Sequence, residues 1–65
     1  MVFEVRINGN NYITLFADYI KEEYSIIDEK NIIKFYVDGE VIAYTPYNKY
    51  ERHCVGDDIY VIEIE

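Results

Sequence analysis

Ile32 to Thr45 reads I-I-K-F-Y-V-D-G-E-V-I-A-Y-T, and its reading decides the fold. Two β-prone runs flank Asp38-Gly39, a dipeptide that supplies the positive φ values of a tight hairpin turn. The register is open between two forms. A two-residue turn pairs Phe35 with Ile42. A bulged turn over Val37 to Gly39 pairs Phe35 with Val41 and Ile33 with Ala43. The second keeps small Ala43 inside and Lys34 outside, and is preferred. Pro46 then ends the strand or holds it at a sheet edge, because it has no N–H to give a ladder.

Immediately upstream, Asp28-Glu29-Lys30-Asn31 is a turn-forming connector, with Asn31 suited to the left-handed conformation. Across it Ile27 is predicted to meet Ile32, Ile26 to meet Ile33 and Tyr24 to meet Phe35. Tyr12 to Ile27 admits two readings. As a helix it offers Tyr12, Phe16, Ile20, Tyr24 and Ile27 at three- and four-residue spacing, with Asn11 as N-cap. As strands it offers Ile13, Leu15 and Ala17, then Tyr24 and Ile26. The chain has eleven Ile, six Val and eight Tyr but one Leu and two Ala, which favours strands. We read strand, with one short helix within residues 12–25 as the α+β alternative.

At the start of the sequence, Phe3, Val5 and Ile7 alternate with Glu4 and Arg6, the period of a half-exposed strand. The loop Asn8-Gly9-Asn10 pairs Ile7 with Asn11, Val5 with Ile13 and Phe3 with Leu15. That register puts Ile13, Leu15 and Ala17 on the core face. Downstream, Tyr47 to Val55 has no clear period and is predicted as a loop, with one helical turn as the alternative. Gly56-Asp57-Asp58 is a turn. Ile59 to Glu65 is the last strand, apolar on both faces at its start as an interior strand is. The fold class is mostly β: a small antiparallel sheet or open barrel of five or six short strands, in a single domain over residues 1–65.

Thirteen acidic residues against six basic give a net charge of −7. This disfavours direct binding to nucleic acid or to an anionic membrane, both of which need a basic footprint. It suits a protein partner with a basic surface, and it also serves plain solubility. A single cysteine, Cys54, rules out an intrachain disulfide. No leader pattern and no apolar run long enough for a membrane helix is present, so a cytoplasmic protein is expected. The Ile, Tyr, Asn, Lys and Glu bias is that of AT-rich coding and suggests a phage or other mobile element.

No motif carries catalysis. His53 and Cys54 are adjacent, and neighbours in a strand point to opposite faces, so they do not share a proton. One His and one Cys fall short of a zinc ligand set, and Asp57, Asp58, Glu63 and Glu65 lack calcium-site spacing. The three glycines are isolated turn residues outside any phosphate-cradling loop. No catalytic residue, cofactor or metal is expected, and the chain is read as not being an enzyme.

Two features remain. Tyrosine is abundant, and Tyr12, Tyr36, Tyr44, Tyr47 and Tyr50 are expected wholly or partly exposed. Exposed tyrosine suits an interface, because one ring gives a large contact area at low entropy cost. Acidic residues fall in small groups, several of them at turns. The candidate contact set is Glu22, Glu23, Asp38, Glu40, Asp57 and Asp58, with Tyr36, Tyr47 and Tyr50.

In size, Ile/Tyr-rich β composition and acidic grouping, the chain resembles phage-encoded inhibitors of host defence or nucleic-acid enzymes: anti-CRISPR, anti-restriction and glycosylase-inhibitor proteins. The resemblance is one of bulk character, without a shared motif. It implies an inhibitor working in the host cytoplasm, with carboxylates imitating a nucleic-acid backbone. The alternative is a small structural homo-oligomer, such as a homodimer, or an accessory subunit. In that case Ile59–Glu65 or Val2–Ile7 would be the exposed edge that pairs with its copy.

Overall fold

The computed structural model describes all residues 1–65 and is mostly β, with no helix. Seven strands run in chain order: β1 (Val2–Ile7), β2 (Asn11–Phe16), β3 (Tyr19–Ser25), β4 (Lys30–Val37), β5 (Glu40–Tyr47), β6 (Tyr50–Gly56) and β7 (Ile59–Ile64). They form two sheets, in the orders β2-β1-β7-β6 and β3-β4-β5. All pairings are antiparallel except β1 with β7. Residues 12–25 are therefore strands, and the helical alternative falls. The periodicity that admitted a helix belongs to two strands joined at Ala17-Asp18. No helix is long and apolar enough to cross a membrane.

The two sheets share one core. Phe3, Val5, Ile62 and Ile64 come from one, Ile33 and Phe35 from the other, and Ala17 from the link between them. Phe3 and Phe35 meet edge to face with ring centres 5.6 Å apart, and Tyr60 stacks on Phe3 at 5.6 Å. The short molecular axis, 15 Å between Cα extremes, fits two layers packed about 10 Å apart.

The first hairpin has the expected register: Ile7 opposite Asn11, Val5 opposite Ile13, Phe3 opposite Leu15. Asn8 and Gly9 take the positive φ values its loop needs. Two other registers differ from the expectation. In the third hairpin, the positive φ values of Asp38 and Gly39 make a two-residue turn with Val37 opposite Glu40. A bulge at Ile42 then moves Phe35 opposite Ala43. The bulge lies inside the strand, not in the turn, yet it still turns Ala43 toward the core. In the second hairpin the pairing is Tyr24 with Asn31, Glu22 with Ile33 and Ile20 with Phe35. The turn is Ile26 to Glu29, and Glu29 rather than Asn31 takes the left-handed conformation. Ser25 Oγ bonds the Asp28 carboxylate and accepts the Asp28 N–H, both at 3.2 Å, which fixes the turn there. Ile26 and Ile27, expected in cross-strand pairs, are left 83% and 95% exposed.

Tyr50 to Gly56 is a strand, not the predicted loop. It lacks period because the residues it sets on the core-side face, opposite Ile64, Ile62 and Tyr60, are half-buried Tyr50 and the exposed Arg52 and Cys54. Arg52 lays its guanidinium 4.4 Å from the Tyr60 ring centre and 5.8 Å from that of Phe3, covering the core as an apolar residue would. Pro46 sits on β5, an edge strand, where no ladder bond is lost. Ile59–Ile64 and Val2–Ile7 lie inside their sheet, so neither is an exposed edge.

Candidate functional site

The topology gathers turns at one end of the molecule. β1 and β7 run parallel, so Val2 and Ile59 start together. The Val2 N–H donates to Asp58 O at 2.7 Å, and the Ala17 N–H to Met1 O at 3.1 Å. Beside Ala17, the Asp18 N–H donates to Tyr36 O at 2.7 Å, and the Asp18 carboxylate accepts the Asp38 N–H at 2.8 Å. These bonds tie the β6–β7 turn, the β2–β3 link and the β4–β5 turn into one surface. It carries five exposed carboxylates: Asp18, Asp38, Glu40, Asp57 and Asp58.

None of these five takes part in an ion pair. The carboxylates on strand faces are different. Glu4 and Glu63 lie 3.3 and 3.4 Å from the Arg6 guanidinium, Glu23 lies 2.5 Å from Lys34 Nζ and Glu65 lies 3.0 Å from Lys49 Nζ. Glu23 and Glu65 hold the ammonium groups of Lys34 and Lys49 above the usual lysine range by hydrogen bonding and charge. The turn end therefore gathers five carboxylates without an ion pair, bordered by one cation, Lys21, that lies over the Tyr19 and Tyr36 rings.

The candidate contact residues divide among three places. Asp38, Glu40, Asp57 and Asp58 belong to the acidic end. Tyr36 borders it: its carbonyl bonds Asp18, and its ring stacks on Tyr19 with centres 4.9 Å apart. Lys21 Nζ lies over both rings, at 5.7 and 5.5 Å. Glu23 is committed to Lys34 on the outer face of β3. Glu22 pairs with Ile33 and so points inward, where it accepts the Tyr50 hydroxyl proton. Tyr47 packs edge-on against Tyr50 at 4.9 Å. Burial first, then the Glu22 hydrogen bond, pushes the Tyr50 phenol up to about 12. Burial and the Glu22 charge also raise Tyr47. Tyr12 and Tyr44 are exposed, whereas Tyr36, Tyr47 and Tyr50 are half-buried.

Asp18, Tyr19 and Lys21 join this end without having been singled out in the sequence. A lone acid between two strand-like runs gave no spacing signal. One more cluster lies on the outer face of β6 and β7. His53 Nε2 is 3.2 Å from Glu51 and 3.6 Å from Glu63, and one ligand atom from each of the three lies within 4.8 Å of the others. Two carboxylates and an imidazole are donors a divalent cation accepts. All three side chains are exposed, and Glu63 also engages Arg6, so the protein's own positive charge already addresses the group. No protein-family model, curated protein or solved structure matches the chain.

Proposed function

We propose that this chain is a non-enzymatic protein-binding module that seats its acidic end on a basic, nucleic-acid-facing surface of a partner protein. In the reading its composition suggests, it is a phage or mobile-element inhibitor of a host defence or nucleic-acid-binding protein. The observation that carries the reading is the contrast in pairing. Most carboxylates along the strands (Glu4, Glu23, Glu51 and Glu63) have a cationic or imidazole neighbour, while Asp18, Asp38, Glu40, Asp57 and Asp58, gathered on one surface, have none. Glu22, bonded to Tyr50, and Asp28 and Glu29 at the far turn are the other carboxylates without an ion pair. A basic surface that meets this end exchanges its counterions for fixed carboxylates, so the association weakens with salt. The Tyr19–Tyr36 stack beside it, with Lys21 over both rings, adds aromatic contact area to this flank.

The test is capture of a partner from a bacterial host lysate on the tagged protein, with and without excess duplex DNA or RNA. A dominant basic, nucleic-acid-binding partner that competitor displaces supports occupation of a nucleic-acid site. A partner that ignores the competitor removes mimicry from the proposal. Capture of no basic protein removes the proposal itself.

A further inference from the structure

Each sheet has two edges, and three of the four edge strands are protected. β3 carries Lys21, Glu22 and Glu23, with Glu22 turned inward. β5 has Pro46 and a bulge. β6 has Glu51, Arg52 and His53 and a bulge at Val55. These are the devices that keep sheet edges from pairing. β2, Asn11-Tyr12-Ile13-Thr14-Leu15-Phe16, has none of them. It carries no charge and no proline, and its pairing with β1 is unbroken. Tyr12, Ile13 and Phe16 are all more than half exposed.

The direction of its free backbone groups follows from its neighbours. The Val2 N–H bonds Asp58 O and the Asn8 N–H bonds Ile64 O, at 2.7 and 2.9 Å, so the even-numbered residues of β1 address β7. Phe3, Val5 and Ile7 then address β2, through their partners Leu15, Ile13 and Asn11. The Ala17 N–H to Met1 O bond continues the same alternation. Tyr12, Thr14 and Phe16 are left with N–H and C=O pointing away from the sheet.

We propose that β2 is a self-association edge: two copies pair β2 with β2 in antiparallel fashion, centred on Thr14, into one continuous eight-stranded sheet. This register is the one that satisfies all six outward groups of Tyr12, Thr14 and Phe16, because it sets Thr14 opposite Thr14 and Tyr12 opposite Phe16 on both sides of the axis. A shift of two residues leaves one of the three residues unpaired. A shift of one puts outward groups opposite groups already bonded to β1. The side chains agree with it. Two aromatic pairs and a Thr–Thr pair form on one face, both favourable cross-strand combinations, and Ile13 meets Leu15 on the other. Each copy carries a net charge of −7, so charge opposes association in any orientation, and this orientation opposes it least. β2 is neutral, and antiparallel pairing carries the two acidic ends, which lie beyond Phe16, to opposite extremes of the dimer.

The inference does not rest on the binding role of the acidic end, and its test leaves that end intact. The full chain is compared with Thr14→Lys by sedimentation velocity across a concentration series, with amide hydrogen exchange read at Tyr12, Thr14 and Phe16. Thr14 lies on an exposed outer position, and the substitution places two like charges opposite each other at the axis. The wild-type chain is expected to shift from monomer to dimer as concentration rises through the series, as mass action dictates. Its three outward amides should gain protection as the dimer fills. Thr14→Lys should weaken the dimer by about tenfold or more, and Tyr44→Lys, on the β5 edge, should leave it unchanged. A wild-type chain that stays monomeric throughout the series, or a Thr14→Lys variant that dimerises as well as wild type, overturns the proposal.

Discussion

The two ends of this molecule are both closed by tight turns and differ in how their charge is balanced. At one end Asp18, Asp38, Glu40, Asp57 and Asp58 stand exposed, with no ion pair among them. At the other, Glu65 is held by Lys49 at 3.0 Å, and its backbone is stitched to Asn48 and Lys49 by three hydrogen bonds of 2.7 to 3.2 Å. Asp28 is engaged by Ser25, and Lys30 follows Glu29 directly. The difference teaches that the net charge of −7 is not a uniform coating. The fold weights it toward one end: five carboxylates without an ion pair stand there, against Asp28 and Glu29 beside Lys30 at the other, an asymmetry that a directional interaction with a basic surface needs and solubility alone does not.

The comparison presumes one shared frame, and breaking the frame has the largest effect. Phe3 is fully buried and touches Phe35 across the sheets. Phe3→Ala should cost about 3–5 kcal/mol, most of what a domain this small has. Denaturant unfolding should show a chain that is largely unfolded in buffer. Next comes the acidic turn itself. Gly39 has φ +78°, and Gly39→Ala should cost about 1–2 kcal/mol as a left-handed residue with a Cβ. The shift in denaturation midpoint measures it, and an unchanged midpoint would mean the turn is not held in this conformation.

The alkaline limb sharpens the contrast from the inner side. The Tyr50 phenol is raised from its ordinary value to about 12, so the folded state keeps a proton that the unfolded state gives up near pH 10. Its contribution to stability is complete below about pH 10 and is lost as pH rises toward the folded value. Ultraviolet titration should show late-ionising tyrosine that Tyr50→Phe removes. Glu22→Gln should lower the Tyr50 value yet leave it above the ordinary range, because burial is the larger cause. The smallest effect is on charge relief. Asp57→Asn should slightly raise the melting temperature at low salt, and Glu65→Gln should slightly lower it. Both differences should fade near 1 M salt, where the screening length is about 3 Å.

Much of the fold was legible where local and global signals agreed. In the first hairpin the three-residue Asn-Gly-Asn loop and the alternation of Phe3, Val5 and Ile7 demand one register, and the structure has it. The class of fold followed from an Ile-, Val- and Tyr-rich composition nearly free of Leu and Ala. Of the readings that failed, which include the third-hairpin register and the expected edge strands, two show the reason most clearly. Ile26 and Ile27 looked like cross-strand partners, but the Ser25–Asp28 bonds and the left-handed Glu29 place them at a turn tip. β6 looked like a loop because Arg52 fills an inward position with its guanidinium over aromatic rings, which hides the alternation. The acidic end was legible only in part. Asp38 with Glu40, and Asp57 with Asp58, stood out as groups. Nothing in their spacing says that Asp18 joins them, since that follows from the parallel β1–β7 pair and the short β2–β3 link.

The most direct test reverses equal charge at the two ends. Asp57→Lys/Asp58→Lys and Asp28→Lys/Glu29→Lys change the net charge by the same amount, at exposed turn positions of opposite ends. Each is compared with wild type for binding to the captured basic partner, by calorimetry at low and moderate salt. The account predicts that the first variant loses binding, the second keeps it within a few-fold, and both remain folded. Equal loss from both ends, or none from either, would contradict it.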